Sequence, residues 1–271
     1  METGYGNRVY SDGSATGVAI ERPGIGPTTL VRGHTMRFVY GLAVAVALCM
    51  PSMIGAQAPA AQPDGAVTVK DGGVFAKGWM GKIDAQEEKA GQVLNNSRLA
   101  EKAGMLEVRT GPAVTYWNPA NKAMGNYTVK ATFTESNYMG LNNHPHPYGI
   151  VIGGNDLGTA DQSFIYCSAY GDGTFIVRGM GPAPFVVSSR RAEANAAVAK
   201  AAGKGSAVKQ EIAMSVTADK IECSVNGAVV GSYPKADVVA AGKLKSTDGV
   251  YGIRFAHNTE ATVSGFSMTK Q

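Results

Sequence analysis

Missing from the sequence are a Gly-x-x-x-x-Gly-Lys run, a His-Glu-x-x-His run and a Gly-x-Ser-x-Gly run. Nucleotide hydrolysis, zincin-type proteolysis and α/β-hydrolase chemistry therefore lack their usual entry points. Gly153-Gly154 follows a strand pattern, but no helix pattern comes after it, so it does not make a dinucleotide fingerprint. Charge of one sign is also scarce: 25 Lys and Arg stand against 21 Asp and Glu, with no dense basic patch interleaved with aromatics. That argues against a nucleic-acid partner. Cysteine is rare, three in all, and one of them, Cys49, sits in an apolar run where the bulky Leu48 before it suits a lipoprotein-type cleavage poorly.

There is one long apolar run, Phe38 to Met50, preceded by Met36-Arg37 and followed by small residues through Ala58. A charged start, an apolar middle and a small-residue end are the layout of a cleavable signal peptide. The run stops at Pro51, short of the roughly 20 residues that a bilayer requires, so no transmembrane anchor is expected after processing. Residues 36–58 are read as the signal, with cleavage after Ala56, Ala58 or Ala60, which predicts a secreted or periplasmic protein. Residues 1–35 read as a non-native or disordered extension, with translation expected to start at Met36, and residues 59–66 as a short linker. Residues 67–271 are long enough for one domain with a substantial core.

Strand patterns fill that domain. Tyr127, Val129, Ala131 and Phe133 alternate with polar residues, which marks a strand with one wet face. Tyr148 to Ile152, Phe164 to Tyr170 and Thr174 to Arg178 follow, the last two joined by Gly171-Asp172-Gly173 as a hairpin. Ile212, Met214 and Val216 are expected to face Ile221, Cys223 and Val225, and Asn226-Gly227 then reverses the chain. Val250 to Phe255 and Ala261 to Met268 close the series. About a dozen short strands separated by turn signals predict an all-β, two-sheet antiparallel jelly-roll sandwich. Helix is expected only in the alanine-rich stretch Ala192 to Ala202 and in Lys235 to Ala241, and Asp84 to Glu88 reads as a surface loop. Cys167 and Cys223 fall on core-facing positions, as two buried thiols or as the disulfide that export permits.

Read in order, Tyr148-Gly149-Ile150-Val151-Ile152-Gly153-Gly154, Gly171-Asp172-Gly173-Thr174-Phe175, Val225-Asn226-Gly227 and Gly249-Val250-Tyr251-Gly252-Ile253-Arg254 resemble the concanavalin A-like lectin/glucanase superfamily. Within it the chain is similar to the exported 3-keto-disaccharide hydrolase-like (DUF1080-type) domains, over residues 78 to 270. The resemblance implies two curved sheets with a face able to hold a glycan or oligosaccharide; no cofactor is expected. It does not bring catalysis with it. The Glu-x-Asp-x-x-Glu arrangement of the glucanases is absent, and Asp84-Ala85-Gln86-Glu87-Glu88 has the wrong spacing.

Sugar binding calls for aromatic platforms, amides and carboxylates near loops. Trp117, Tyr138, Asn142, His144, Asn155 and Asp156 are the candidates of that chemistry. Trp117 has a competing place in the core. For catalysis the local carboxylates are Asp156 and Asp161, while Asp172 in Gly-Asp-Gly is better explained as a turn former. His144 and His146, spaced by prolines, are the candidate metal ligands, against a reading in which they simply point to water. The two function classes kept open are an exported carbohydrate-binding or carbohydrate-processing domain and a non-catalytic structural or adhesive module of the cell envelope. The loop from Glu135 to Pro147 is expected to cross a sheet face and bring Asn142 or His144 toward Asp156.

Overall fold

The computed structural model describes residues 65–271; the signal segment, the extension before it and most of the linker lie outside the described residues. The first part of the domain runs through strands β1 (Gly73–Val74), β2 (Met80–Ile83), β3 (Arg98–Lys102), β4 (Met105–Arg109), β5 (Val114–Ala123) and β6 (Tyr127–Glu135). The middle holds β7 (Tyr148–Asn155), β8 (Ser163–Ala169), β9 (Thr174–Met180), β10 (Pro184–Val186) and β11 (Glu193–Ala194). The last part holds β12 (Val208–Val216), β13 (Lys220–Val225), β14 (Ala228–Pro234), β15 (Gly249–Phe255) and β16 (Glu260–Lys270). Two short helices, α1 (Ala85–Lys89) and α2 (Lys235–Val238), sit between strands.

Two sheets result, so the all-β sandwich expected from the sequence is what forms. The first has the order β1-β3-β4-β16-β6-β12-β13-β14, and the second the order β10-β9-β8-β7-β15-β5-β2, with β11 also on β9. Between these strands pairing is antiparallel except at one edge, where the two residues of β1 run parallel to β3. The alternation in β6 buries Tyr127, Val129, Ala131 and Phe133 completely or nearly so, and the register of β12 on β13 sets Ile212, Met214 and Val216 opposite Val225, Cys223 and Ile221. Between the sheets, Phe133, Tyr148 and Phe255 form a ring cluster with centroids 5.3 to 5.9 Å apart. Cys167 of the second sheet and Cys223 of the first are joined there as a disulfide, with Cα atoms 5.9 Å apart, inside the range such bridges span.

Two expectations need correction. Ala192 to Ala202 is not a helix: it holds β11, turns and an isolated bridge from Lys200 to Asp172. Its backbone groups are taken by partners from elsewhere: Ala199 N donates to Gln210 Oε1 at 3.1 Å, and Ala197 O accepts from Asn226 Nδ2 at 2.8 Å. Asn195 Oδ1 accepts from Ala197 N at 2.9 Å, a local turn that competes with helix. Alanine's helix propensity is a weak preference and gives way to these bonds. Asp84 to Glu88 is not a loop either, since Asp84 leads into α1 and its carboxylate turns inward to Arg254.

Candidate functional site

Alternation along β8 sends Ile165, Cys167 and Ala169 into the core, so Tyr166, Ser168 and then Tyr170 must point to the outer face of the second sheet. Register places their neighbours. Thr115, Arg254, Gly149, Ser168 and Ile176 form one row across β5, β15, β7, β8 and β9. The adjoining row runs Trp117, Gly252, Val151, Tyr166 and Arg178. Gly149 stands between Arg254 and Ser168, and a Cβ there would meet the Cys167 carbonyl oxygen at 1.9 Å. No side chain larger than hydrogen fits, and this part of the sheet face stays low.

Above these rows lies a pocket of about 150 Å³ lined by Tyr166, Ser168, Tyr170, Ile176, Arg178 and Arg254, among others. Arg254 is 9% exposed and fixed from three sides. Its Nη1 donates to Asp84 Oδ1 at 2.8 Å and Thr115 Oγ1 at 2.9 Å, and its Nη2 to Asp84 Oδ2 at 2.5 Å. The guanidinium carbon lies 4.9 Å from the Tyr166 ring centroid, a cation–π distance. Burial pulls the Arg254 pKa down, but Asp84 and Tyr166 outweigh it and the net movement is upward. Arg178 donates from Nη2 to the Arg190 carbonyl at 2.5 Å, and its Nε is buried without a partner among the described residues. The Tyr170 phenol is raised, by burial first, against the lowering field of Arg178. Fixed cations, phenol rings and hydroxyls over a partly apolar floor can grip a small polar molecule with an apolar face.

Other hollows are more self-contained. One of about 280 Å³ over the first sheet is bordered by Arg109 and Glu260, whose side chains approach to 3.5 Å, and by Arg98, which stacks on Phe75. Another of about 470 Å³ at the β2 edge contains the Lys82–Glu88 ion pair, 2.8 Å long.

The residues singled out from sequence scatter. Trp117 is 3% exposed, with Gly158 packed on its ring, so it offers no open platform. Tyr138 is buried with Ala201 and Val208, and burial raises its phenol to about 12. Asn155 donates through Nδ2 to the carbonyls of Gly153 and Asp248, both at 3.0 Å, which is a structural task. Asp156 pairs with Lys245 at 2.6 Å on the surface, and Asp161 lies on the same exposed loop. Asp172 accepts from Thr174 N and Oγ1 at 3.1 and 2.7 Å, which is turn shaping.

Asn142 donates to Asn258 O at 2.9 Å and contacts His146 Nδ1 at 3.2 Å. The His144 and His146 rings meet edge-on at 4.4 Å, and His146 meets His257 at 4.1 Å. Among the described residues no group of three His, Cys, Asp or Glu is placed to hold a metal ion. Asn142 and the histidines gather at the end of β7 where Tyr148 pairs with Phe255, while Asp156 follows the opposite end, so the loop does not bring His144 to Asp156. Tyr166, Ser168, Tyr170, Arg178 and Arg254 were not among the sequence candidates. The signal that locates them is the other half of the same alternation.

No family model and no curated protein sequence matches the chain. Among solved structures, it is similar to a Bacillus subtilis protein of unknown function with a galectin-like fold, at 12% identity and a TM-score of 0.50, covering 72% of this chain and 90% of that one. The fold is a concanavalin A-like jelly roll. Lesser likenesses are a carbohydrate-binding module from Bacillus subtilis (7% identity, 73% and 98% covered, TM-score 0.46) and an endo-β-1,3-glucanase from Pyrococcus furiosus (15%, 68% and 85%, 0.45). At these identities the likeness concerns the fold alone.

Proposed function

We propose that this jelly roll is an exported carbohydrate-binding domain that holds a sugar residue in the pocket of Tyr166, Ser168, Tyr170, Arg178 and Arg254. The fold by itself assigns no ligand. The observation that carries the reading is the pocket's chemistry: phenols and hydroxyls beside fixed guanidiniums, set on a sheet face kept low by Gly149. Sugar rings have apolar faces and hydroxyl edges, and such a pocket supplies a complement to both. At about 150 Å³ it suits one residue of a chain, since whole drug-sized ligands occupy roughly 300–1,000 Å³. The Cys167–Cys223 disulfide supports export, because such bonds persist in oxidising compartments.

Binding is favoured over hydrolysis of the 3-keto-disaccharide hydrolase kind. Glycosidases generally work with two carboxylates roughly 5 to 9.5 Å apart. Among the strands of the second sheet the one carboxylate is Glu193 of β11, whose Oε1 accepts from Ser189 N at 3.1 Å, and Asp84 beside the pocket is already taken by Arg254. A glycan array probed with the protein is the test, followed by titration of any hit against Tyr166→Ala. Loss of at least about tenfold in affinity is expected from that variant, about 1.4 kcal/mol. A blank array with folded protein would favour the structural or adhesive module instead.

A further inference from the structure

Two arginines line the pocket and no Asp or Glu does. Arg254 is answered by Asp84, which grips both of its terminal nitrogens. Arg178 is answered by no carboxylate among the described residues. Its one hydrogen bond there goes from Nη2 to the Arg190 carbonyl, and its Nε is buried with no partner. In the other hollows Arg109 pairs with Glu260 and Lys82 with Glu88, while Arg98 donates to the Asp71 carbonyl and stacks on Phe75. Here a positive charge is held in place and left over.

A guanidinium carries five N–H donors in a planar fork, and a carboxylate fills such a fork with two parallel bonds. Arg178 is half-buried and its ion-pairing capacity is unspent, so an anion that enters gains a charge-assisted contact that a neutral ligand does not. Tyr166, Ser168 and Tyr170 surround it with hydroxyl groups, which donate to a carboxylate as readily as to a sugar oxygen. The buried Ile176 lines the same pocket and gives a ring an apolar surface to lie on.

We propose that the pocket selects an acidic sugar, a residue bearing a ring carboxylate, with Arg178 as the group that reads the charge. This deepens the glycan-binding reading and rests on it. The test uses glycans that end in a uronic acid, each matched with its carboxyl-reduced counterpart, which differs only in the group at issue. Wild-type protein is expected to bind the acidic member about tenfold or more tightly than the reduced one, with a preference that shrinks as salt rises. Arg178→Gln should bring the affinities for the acidic and reduced members together, whatever it does to the affinity they share, and Arg178→Lys should retain part of the preference. Thermal melts of both variants report whether they fold. Equal affinity for both members, or a preference untouched in folded Arg178→Gln, would overturn the acidic selection and leave sugar binding standing. Binding of neither these nor any other glycan would remove the glycan-binding reading itself.

Discussion

Arg254 and Asp84 form a two-pronged ion pair, 2.8 Å from Nη1 to Oδ1 and 2.5 Å from Nη2 to Oδ2, that ties the outer face of the second sheet to the start of α1. Arg254 is 9% exposed, so the pair is largely withdrawn from water on the arginine side. Removing one partner of a buried pair costs about 3–5 kcal/mol, because the charge left behind is neither hydrated nor paired. Asp84→Ala should lower the unfolding free energy by that order in urea titrations. Asp84→Ala combined with Arg254→Met should recover most of the loss. A cost under about 1 kcal/mol for the single variant would mean that the pair behaves as an exposed one.

Glu135 gives a pH-dependent prediction. The residue is 4% exposed, Oε1 accepts from Met139 N at 3.3 Å, and Oε2 is buried without a hydrogen bond among the described residues. Burial pushes its pKa up to about 7, the Met139 N–H opposes the rise, and Glu260 adds to it. Tyr138 and Tyr148 are the other titratable groups facing it. The folded protein therefore keeps a proton that the unfolded chain, at about 4.3, has already released. That contribution to stability is fully present below about pH 4 and is lost as the pH rises through 7. Glu135→Gln should exceed the parent in stability at pH 8 by up to about 3 kcal/mol, with the gap closing toward pH 4. Parallel stability–pH curves for the two proteins would refute the assignment.

The strands were readable because each carried its own periodic signal. Asn226-Gly227 marks a turn on chemical grounds alone, and the structure puts both residues at positive φ, 50° and 84°, as a two-residue hairpin turn requires. The failure at Ala192 to Ala202 has the opposite cause: its conformation depends on Gln210 and Asn226, which no local pattern announces. The pocket was legible in one sense and hidden in another. The core positions Ile165, Cys167 and Ala169 imply that Tyr166, Ser168 and Tyr170 share the other face, but only the register of β15 and β9 on their neighbours adds Arg254 and Arg178. Loop residues such as Asn155 looked available because sequence does not show the carbonyls they satisfy.

The bridge between Cys167 and Cys223 links the two sheets across a separation of 56 residues. In the chain-entropy description a loop of that size stabilises the folded state by about 4 kcal/mol, through restriction of the unfolded chain. Reductant should shift the urea midpoint down, and Cys167→Ala with Cys223→Ala should reproduce the reduced protein's curve. Identical transitions with and without reductant would show that the bridge contributes nothing.

The last prediction concerns the two loops that flank β7. The strand has eight residues, whose seven steps of about 3.3 Å separate its ends by up to roughly 23 Å. At one end the His144 and His146 rings meet, and His146 contacts His257 beyond the end of β15. At the other, Asp156 pairs with Lys245 before β15 begins. Side chains farther apart than about 7–10 Å with no shared partner act independently, and their effects add within about 0.3–0.5 kcal/mol. Asp156→Asn removes the charge while keeping a residue tolerant of the left-handed backbone at φ 52°. Because the Asp156–Lys245 pair is exposed on both sides, that change should cost no more than about 1 kcal/mol. Combined with His144→Ala, the stability loss should equal the sum of the two single losses. A coupling above about 1 kcal/mol in the double-mutant cycle would mean that the loops meet across the sheet face after all, contrary to the strand length that separates them.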